Sequence, residues 1–171
     1  MSEIILDPAK TCCFTGHRPE YLPADYEELY IQLESAIRQA VSEGYDTFLT
    51  GMAKGFDMIA GDAVLRLKHR GVPIRLICAV PFKGFAEKVR DEWRDISRTL
   101  FAQADAVEYV CPNSHPGCYQ LRNQWMVDRS SRVIAYCVDP DGGTGNTIRY
   151  AARKSIPVTN LFDWMEQNIS L

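Results

Sequence analysis

Long apolar runs are missing from this chain: none approaches the roughly 20 residues that a membrane-spanning helix needs. The amino terminus also lacks the basic, apolar and small-residue order of an export signal, so a cytoplasmic location without membrane contact is expected. A basic excess is missing too. The formal charge is −3, which disfavours nucleic acid as a partner, although a local cationic patch fits inside a mildly acidic total. No CxxC pair occurs among the six cysteines. No repeat, low-complexity linker or composition break divides the 171 residues, so one domain over residues 1–171 is expected.

What is present is the mixture of a globular protein, 46% apolar and 24% charged residues. Cys12, Cys13, Cys78 and Cys137 stand in apolar runs, which makes them reduced core residues rather than a disulfide framework. Cys111, His115 and Cys118 lie close together in a loop, but no fourth ligand is evident and no metal site is expected.

Six short apolar runs, residues 11–15, 46–50, 74–80, 106–110, 132–138 and 158–161, read as strands. Most lack apolar/polar alternation, which points to burial on both faces. Between them, Tyr26, Leu29, Tyr30, Leu33, Ile37, Ala40 and Val41 recur at helical steps, as do Phe56, Ile59, Ala60, Ala63, Val64 and Leu67. A third stripe runs through Phe85, Val89, Trp93, Ile96 and Leu100, with charged residues between, and shorter helices fit 119–129 and 144–154. Gly44 and Gly71 mark the ends of the first two helices. Alternation of strand and helix predicts a Rossmann-like, doubly wound α/β fold, its sheet mostly parallel with helices on both faces.

Such sheets bind ligands outside the carboxyl ends of their strands. Three loops there stand out. In Thr15-Gly16-His17-Arg18-Pro19, Gly16 permits close backbone approach, His17 lies in the same turn, and Arg18 can fork two hydrogen bonds onto phosphate. In the second, residues 50–57, Gly51 and Gly55 flank a strand-to-helix turn that carries Lys54. Asp57 has three readings: a helix cap, a partner for a sugar hydroxyl, or a base. The third, Asp141-Gly142-Gly143-Thr144-Gly145-Asn146-Thr147, opens a helix with three glycines and a composition suited to wrapping an anion. Arg122 and Asn123 begin a neighbouring helix, with Asp128 farther along it as a second carboxylate candidate; Trp125 and Met126 read as core or subunit contacts.

With these loops, the chain resembles the SLOG superfamily, which includes DprA/Smf proteins and LOG enzymes, and within it the YpsA-like branch. Residues 50–57 are similar to the DprA pattern Ser-Gly-x-Ala-Arg-Gly-Ile-Asp, and residues 15–19, 122–128 and 142–151 resemble YpsA-like signatures. The resemblance implies a Rossmann-like fold and a pocket for nucleotides or NAD- or ADP-ribose-like molecules. LOG enzymes carry Pro-Gly-Gly-x-Gly-Thr-x-x-Glu, whose glutamate takes part in cleavage; here Asp141, Asn146 and Arg149 replace the proline, threonine and glutamate. A LOG-type phosphoribohydrolase is therefore disfavoured.

The expected function is binding of a small nucleotide-derived ligand by a sensor or ligand-binding domain, with no further cofactor. The alternatives are glycosidic or phosphoester cleavage using Asp57 or Asp128, and DprA-type single-stranded DNA binding. An exposed Trp or Tyr on a helix face would mark a homo-oligomer surface.

Overall fold

The computed structural model describes residues 4–169, with side chains described as far as Glu166. Six strands form one sheet: β1 (Thr11–Gly16), β2 (Thr47–Thr50), β3 (Arg75–Phe82), β4 (Ala106–Cys111), β5 (Arg132–Tyr136) and β6 (Val158–Asn160). Every pairing is parallel and the order is β4-β3-β2-β1-β5-β6. Six helices connect or follow them: α1 (Tyr26–Ser42), α2 (Phe56–His69), α3 (Trp93–Gln103), α4 (Cys118–Asp128), α5 (Gly143–Arg153) and α6 (Leu161–Ile169). The chain winds outward from β1 to β4, returns through α4, and continues from β5 to β6. The order therefore reverses between β1 and β5, where doubly wound sheets open a crevice.

Alternate strand residues serve two cores, as the period of two requires. Phe14, Phe48, Leu76 and Ile134 join one with Leu33, Ile37, Ile59 and Leu100, so α1, α2 and α3 share a face. Cys13, Leu49, Ile77 and Val133 join the other with Met126, Val127 and Ala151 from α4 and α5. Helix α1 follows its sequence closely: Asp25 accepts the Glu27 amide at 2.9 Å as a cap, and Leu29, Leu33, Ala36, Ile37 and Ala40 form the buried stripe. Gly44 and Gly71 end their helices at φ 101° and 93°. All six cysteines are buried and free.

The third apolar stripe is not one helix. Residues Ala86–Lys88 form a 3-10 turn, Asp91 sits in the left-handed region at φ 63°, and α3 begins only at Trp93. Phe85, Val89, Trp93 and Leu100 are nevertheless buried, so the spacing reports burial correctly while the backbone reaches it in two pieces. The expected strand 132–138 also stops early: the Cys137 amide and carbonyl bond the side chain of Asn160, at 3.0 Å each, instead of a strand neighbour. Leu161, expected to end a strand, opens α6. No helix among the described residues is long and apolar enough to cross a membrane.

Candidate functional site

The loops after β1, β2 and β5 surround a recess of about 320 Å³ at the point where strand order reverses. Its floor is set by glycines that let the first two loops interlock. A methyl on Gly16 would stand 2.3 Å from the Phe56 ring, and one on Gly55 would stand 2.7 Å from the His17 carbonyl. Gly55 also adopts φ 95°, and the following Phe56 amide donates to that same carbonyl at 3.1 Å. Between the two glycines of the second loop, buried Met52 is held at φ 64°, a left-handed conformation that is costly for a residue with a side chain.

Gly51 makes room for two side chains of opposite sign. Its absent side chain leaves space for Asp57 Oδ2 and the Arg122 guanidinium, which would approach a methyl there to 2.7 and 2.9 Å. Arg122, 4% exposed, donates through Nη1 to the Gly51 carbonyl and through Nε to Asn123 Oδ1 at 2.9 Å. Asp57, also 4% exposed, receives only the Ala53 amide, at 3.4 Å, on Oδ2. Its Oδ1 is buried and has no hydrogen-bond partner among the described residues. Burial pushes the Asp57 carboxyl up to about 6, against the opposing pull of Arg122 and the Ala53 amide. Burial likewise lowers the Arg122 guanidinium, with Asp57 opposing. The arrangement is a desolvated carboxylate facing a cleft without capping its helix, whose cap residue Gly55 has no side chain with which to supply a cap.

Across the recess, α5 presents its amino end. Its cap residue Gly142 supplies no side-chain bond, so the first-turn amides lie free of a cap at the positive end of the helix dipole. A methyl on Gly142 or Gly143 would meet nothing within 4 Å. Gly145 is different, because a methyl there would stand 1.8 Å from the Pro140 carbonyl oxygen.

The structure brings Gly16, His17, Arg18, Asp57, Arg122, Asn123, Gly142, Gly143 and Thr144 to the recess. Arg18 is exposed there with no side-chain partner among the described residues. His17 is a loop clamp: its Nε2 accepts the amides of Val138 at 2.9 Å and Asp139 at 3.1 Å, which ties the β1 loop to the β5 loop. Lys54 faces an adjoining recess of about 130 Å³ with Arg18, Lys88 and Tyr119. Gly51, Gly55 and Gly145 lie behind the walls as packing residues. The Thr147 hydroxyl is taken by the Gly143 carbonyl at 2.9 Å, and Asn146 is held by Arg149, which also donates to the Pro140 carbonyl at 3.0 Å. Arg149 thus braces the loop at the position where LOG enzymes carry their glutamate.

Asp128 is not in the site. It ends α4, bonded to the Tyr150 hydroxyl at 2.7 Å and to Lys154, which hold its carboxyl below its ordinary value against the opposing effect of burial, the leading influence on it. Tyr21 and Tyr119, exposed rings on the recess, and the acids Glu20 and Asp139 stand outside the site residues expected from sequence, while Asp141 of the third loop lines the recess with them. Tyr119, one position inside α4 and three before Arg122, was within reach of the helical spacing.

Comparison with known proteins follows the same lines. The family model described as the YspA SLOG family matches residues 12–160. A UPF0398 protein of Bacillus velezensis is 23% identical over 133 residues, 73% of each chain. Another, from Bacillus pumilus, is 22% identical over 152 residues, covering 83% of this chain and 81% of its own. DNA processing protein A of Helicobacter pylori, described for its single-stranded DNA binding mode, has a TM-score of 0.62 at 20% identity over 88% of this chain. DprA of Streptococcus pneumoniae has a TM-score of 0.57 at 16% identity over 89%. The match spans 64% and 50% of those two chains, and the likeness to them is one of fold. On the match over residues 12–160, this chain belongs to the YpsA, or YspA SLOG, family.

Proposed function

We propose that this chain binds a phosphate-bearing nucleotide derivative, of the NAD or ADP-ribose kind, across the recess between β1 and β5, as a ligand-binding or sensing domain. The observation that carries the reading is Asp57 Oδ1: a buried acceptor without a partner, on a recess that an uncapped helix start also lines. A buried polar atom left unpaired costs about 1–3 kcal/mol, which a ligand hydroxyl donating to it would recover. Phosphate suits the first-turn amides of α5 together with Arg18. The ribose then lies over Asp57, and the base lies against Tyr119 or Tyr21. Calorimetry against NAD, ADP-ribose and common nucleotides tests this, with Arg18→Ala expected to weaken binding about tenfold or more. Folded protein that binds none of them overturns it.

The raised Asp57 carboxyl favours a second reading. A group that changes protonation near neutral pH suits a general acid or base, so the domain would cleave the glycosidic or phosphoester bond of its ligand. Free base or ribose phosphate should then appear with the native chain and not with Asp57→Asn; a ligand that binds and is never consumed retires the idea. The DprA-like fold brings a third. Arg90, Arg94 and Arg98 line a separate recess of about 630 Å³ with Phe101 and Tyr109, a basic and aromatic surface of the kind single strands use. We expect no gel shift with single-stranded DNA at physiological salt, and a shift that weakens as salt rises would reverse that expectation.

A further inference from the structure

We propose that Cys111, His115 and Cys118 form a binding site for a soft divalent cation, Zn2+, held by two thiolates and one imidazole with a fourth position open. Cys111 ends β4 and Cys118 opens α4, so the turn between strand and helix folds the three ligand atoms to within 4.8 Å of one another. The two sulfurs are buried and His115 is exposed, which places the soft donors at the base and the imidazole at the solvent side, where an ion enters.

Three contacts prepare these ligands. The His115 backbone amide donates to Cys118 Sγ at 3.2 Å, and Cys118 Sγ points to the Asn113 carbonyl at 3.4 Å, so two contacts fix the position of this sulfur. His115 Nδ1 lies 2.8 Å from the Pro116 carbonyl, and with Nδ1 donating there, Nε2 keeps the lone pair a metal needs. Gly117, at φ 95°, turns the chain between His115 and Cys118. Two sulfurs and a nitrogen select zinc over the hard cations magnesium and calcium, and three protein ligands leave the exchangeable position of an open zinc site. On binding, the two thiols release their protons to solvent. The ion lies outside the nucleotide recess, so this inference stands apart from the proposed function.

The test is titration of the reduced, full-length chain with Co2+, read by thiolate-to-cobalt charge-transfer absorption, followed by displacement with Zn2+. One equivalent per chain is expected. The band should vanish in Cys118→Ser, fall about tenfold or more in affinity in His115→Ala, and persist in Cys137→Ser. Because His115 is exposed, its variant keeps the fold and decides the matter even where Cys118→Ser does not fold. No band with folded, reduced protein overturns the proposal, as does a band of undiminished affinity in His115→Ala. A chain that takes up no ion and instead oxidises to a Cys111–Cys118 disulfide overturns it equally.

Discussion

The loops after β1 and β2 interlock through their glycines, whereas the loop after β5, tied to the first by His17, leaves its leading glycines open. In the first pair, Gly16 lies against the Phe56 ring and Gly55 against the His17 carbonyl, and Gly51 makes space for Asp57 and Arg122. In the other, Gly142 and Gly143 have nothing beside them, and only Gly145 is pressed against backbone. The same residue type therefore does two jobs within one recess. Where glycine is crowded it sets the shape of the wall; where it is open it leaves backbone amides accessible to an anion.

The sharpest way to break this contrast lies within the third loop. Gly145→Ala drives a methyl against the Pro140 carbonyl, which has no rotamer with which to move aside, and should cost about 3 kcal/mol in urea unfolding. A cost below about 0.5 kcal/mol would show that the loop relaxes freely. Arg122→Ala should cost a similar amount, about 3 kcal/mol, because it strands Asp57 as a buried charge and frees the Gly51 carbonyl. It should also raise the Asp57 carboxyl further, readable by NMR titration, since Arg122 pulls it down in the native chain.

Asp57→Asn should act in the opposite direction. The folded carboxyl titrates at about 6 against an ordinary 3.8, so the folded state binds the proton more tightly than the unfolded chain. Stability from this group is greatest below about pH 4 and falls as the pH rises toward 6 and beyond. The variant should lose that slope and gain about 1–3 kcal/mol at pH 7, while its affinity for nucleotide falls. A variant that is less stable at pH 7 would mean that burial is not what holds the group up.

His17 carries the reverse slope. Burial lowers its imidazole from 6.5, with Asp139 opposing, and its neutral Nε2 accepts two amides. Stability from the clamp is present above 6.5 and declines as the pH falls below it. His17→Ala should cost about 1 kcal/mol and remove that decline, seen in melting curves between neutral and mildly acid pH. The smallest stability change belongs to Gly142→Ala. Its φ of −174° suits any residue, so the fold should change by less than about 0.5 kcal/mol while ligand affinity drops. Unchanged affinity there would remove the open glycines from the site.

Much of this was legible beforehand for a physical reason. Strands covered on both faces are continuous apolar runs, and the predicted runs fall on all six. Asp128 illustrates the limit. It shares α4 with Arg122, but six residues of helix carry it about 9 Å away along the axis, to the far end of the sheet. The broken third helix illustrates another, since apolar spacing records which side chains are buried and not whether one helix carries them.

The sequence by itself determined the alternation of strand and helix, the parallel sheet that follows from it, and the glycine-bearing turns at its carboxyl edge, because periodicity and turn chemistry are local properties. Only the tertiary structure decided which glycines are crowded, that Arg122 reaches back to Gly51, that Asp57 is left with an unpartnered oxygen, and that Cys111, His115 and Cys118 converge. Each of these depends on residues far apart in the chain or on the path of a turn, and burial and distance exist only once the chain has closed on itself.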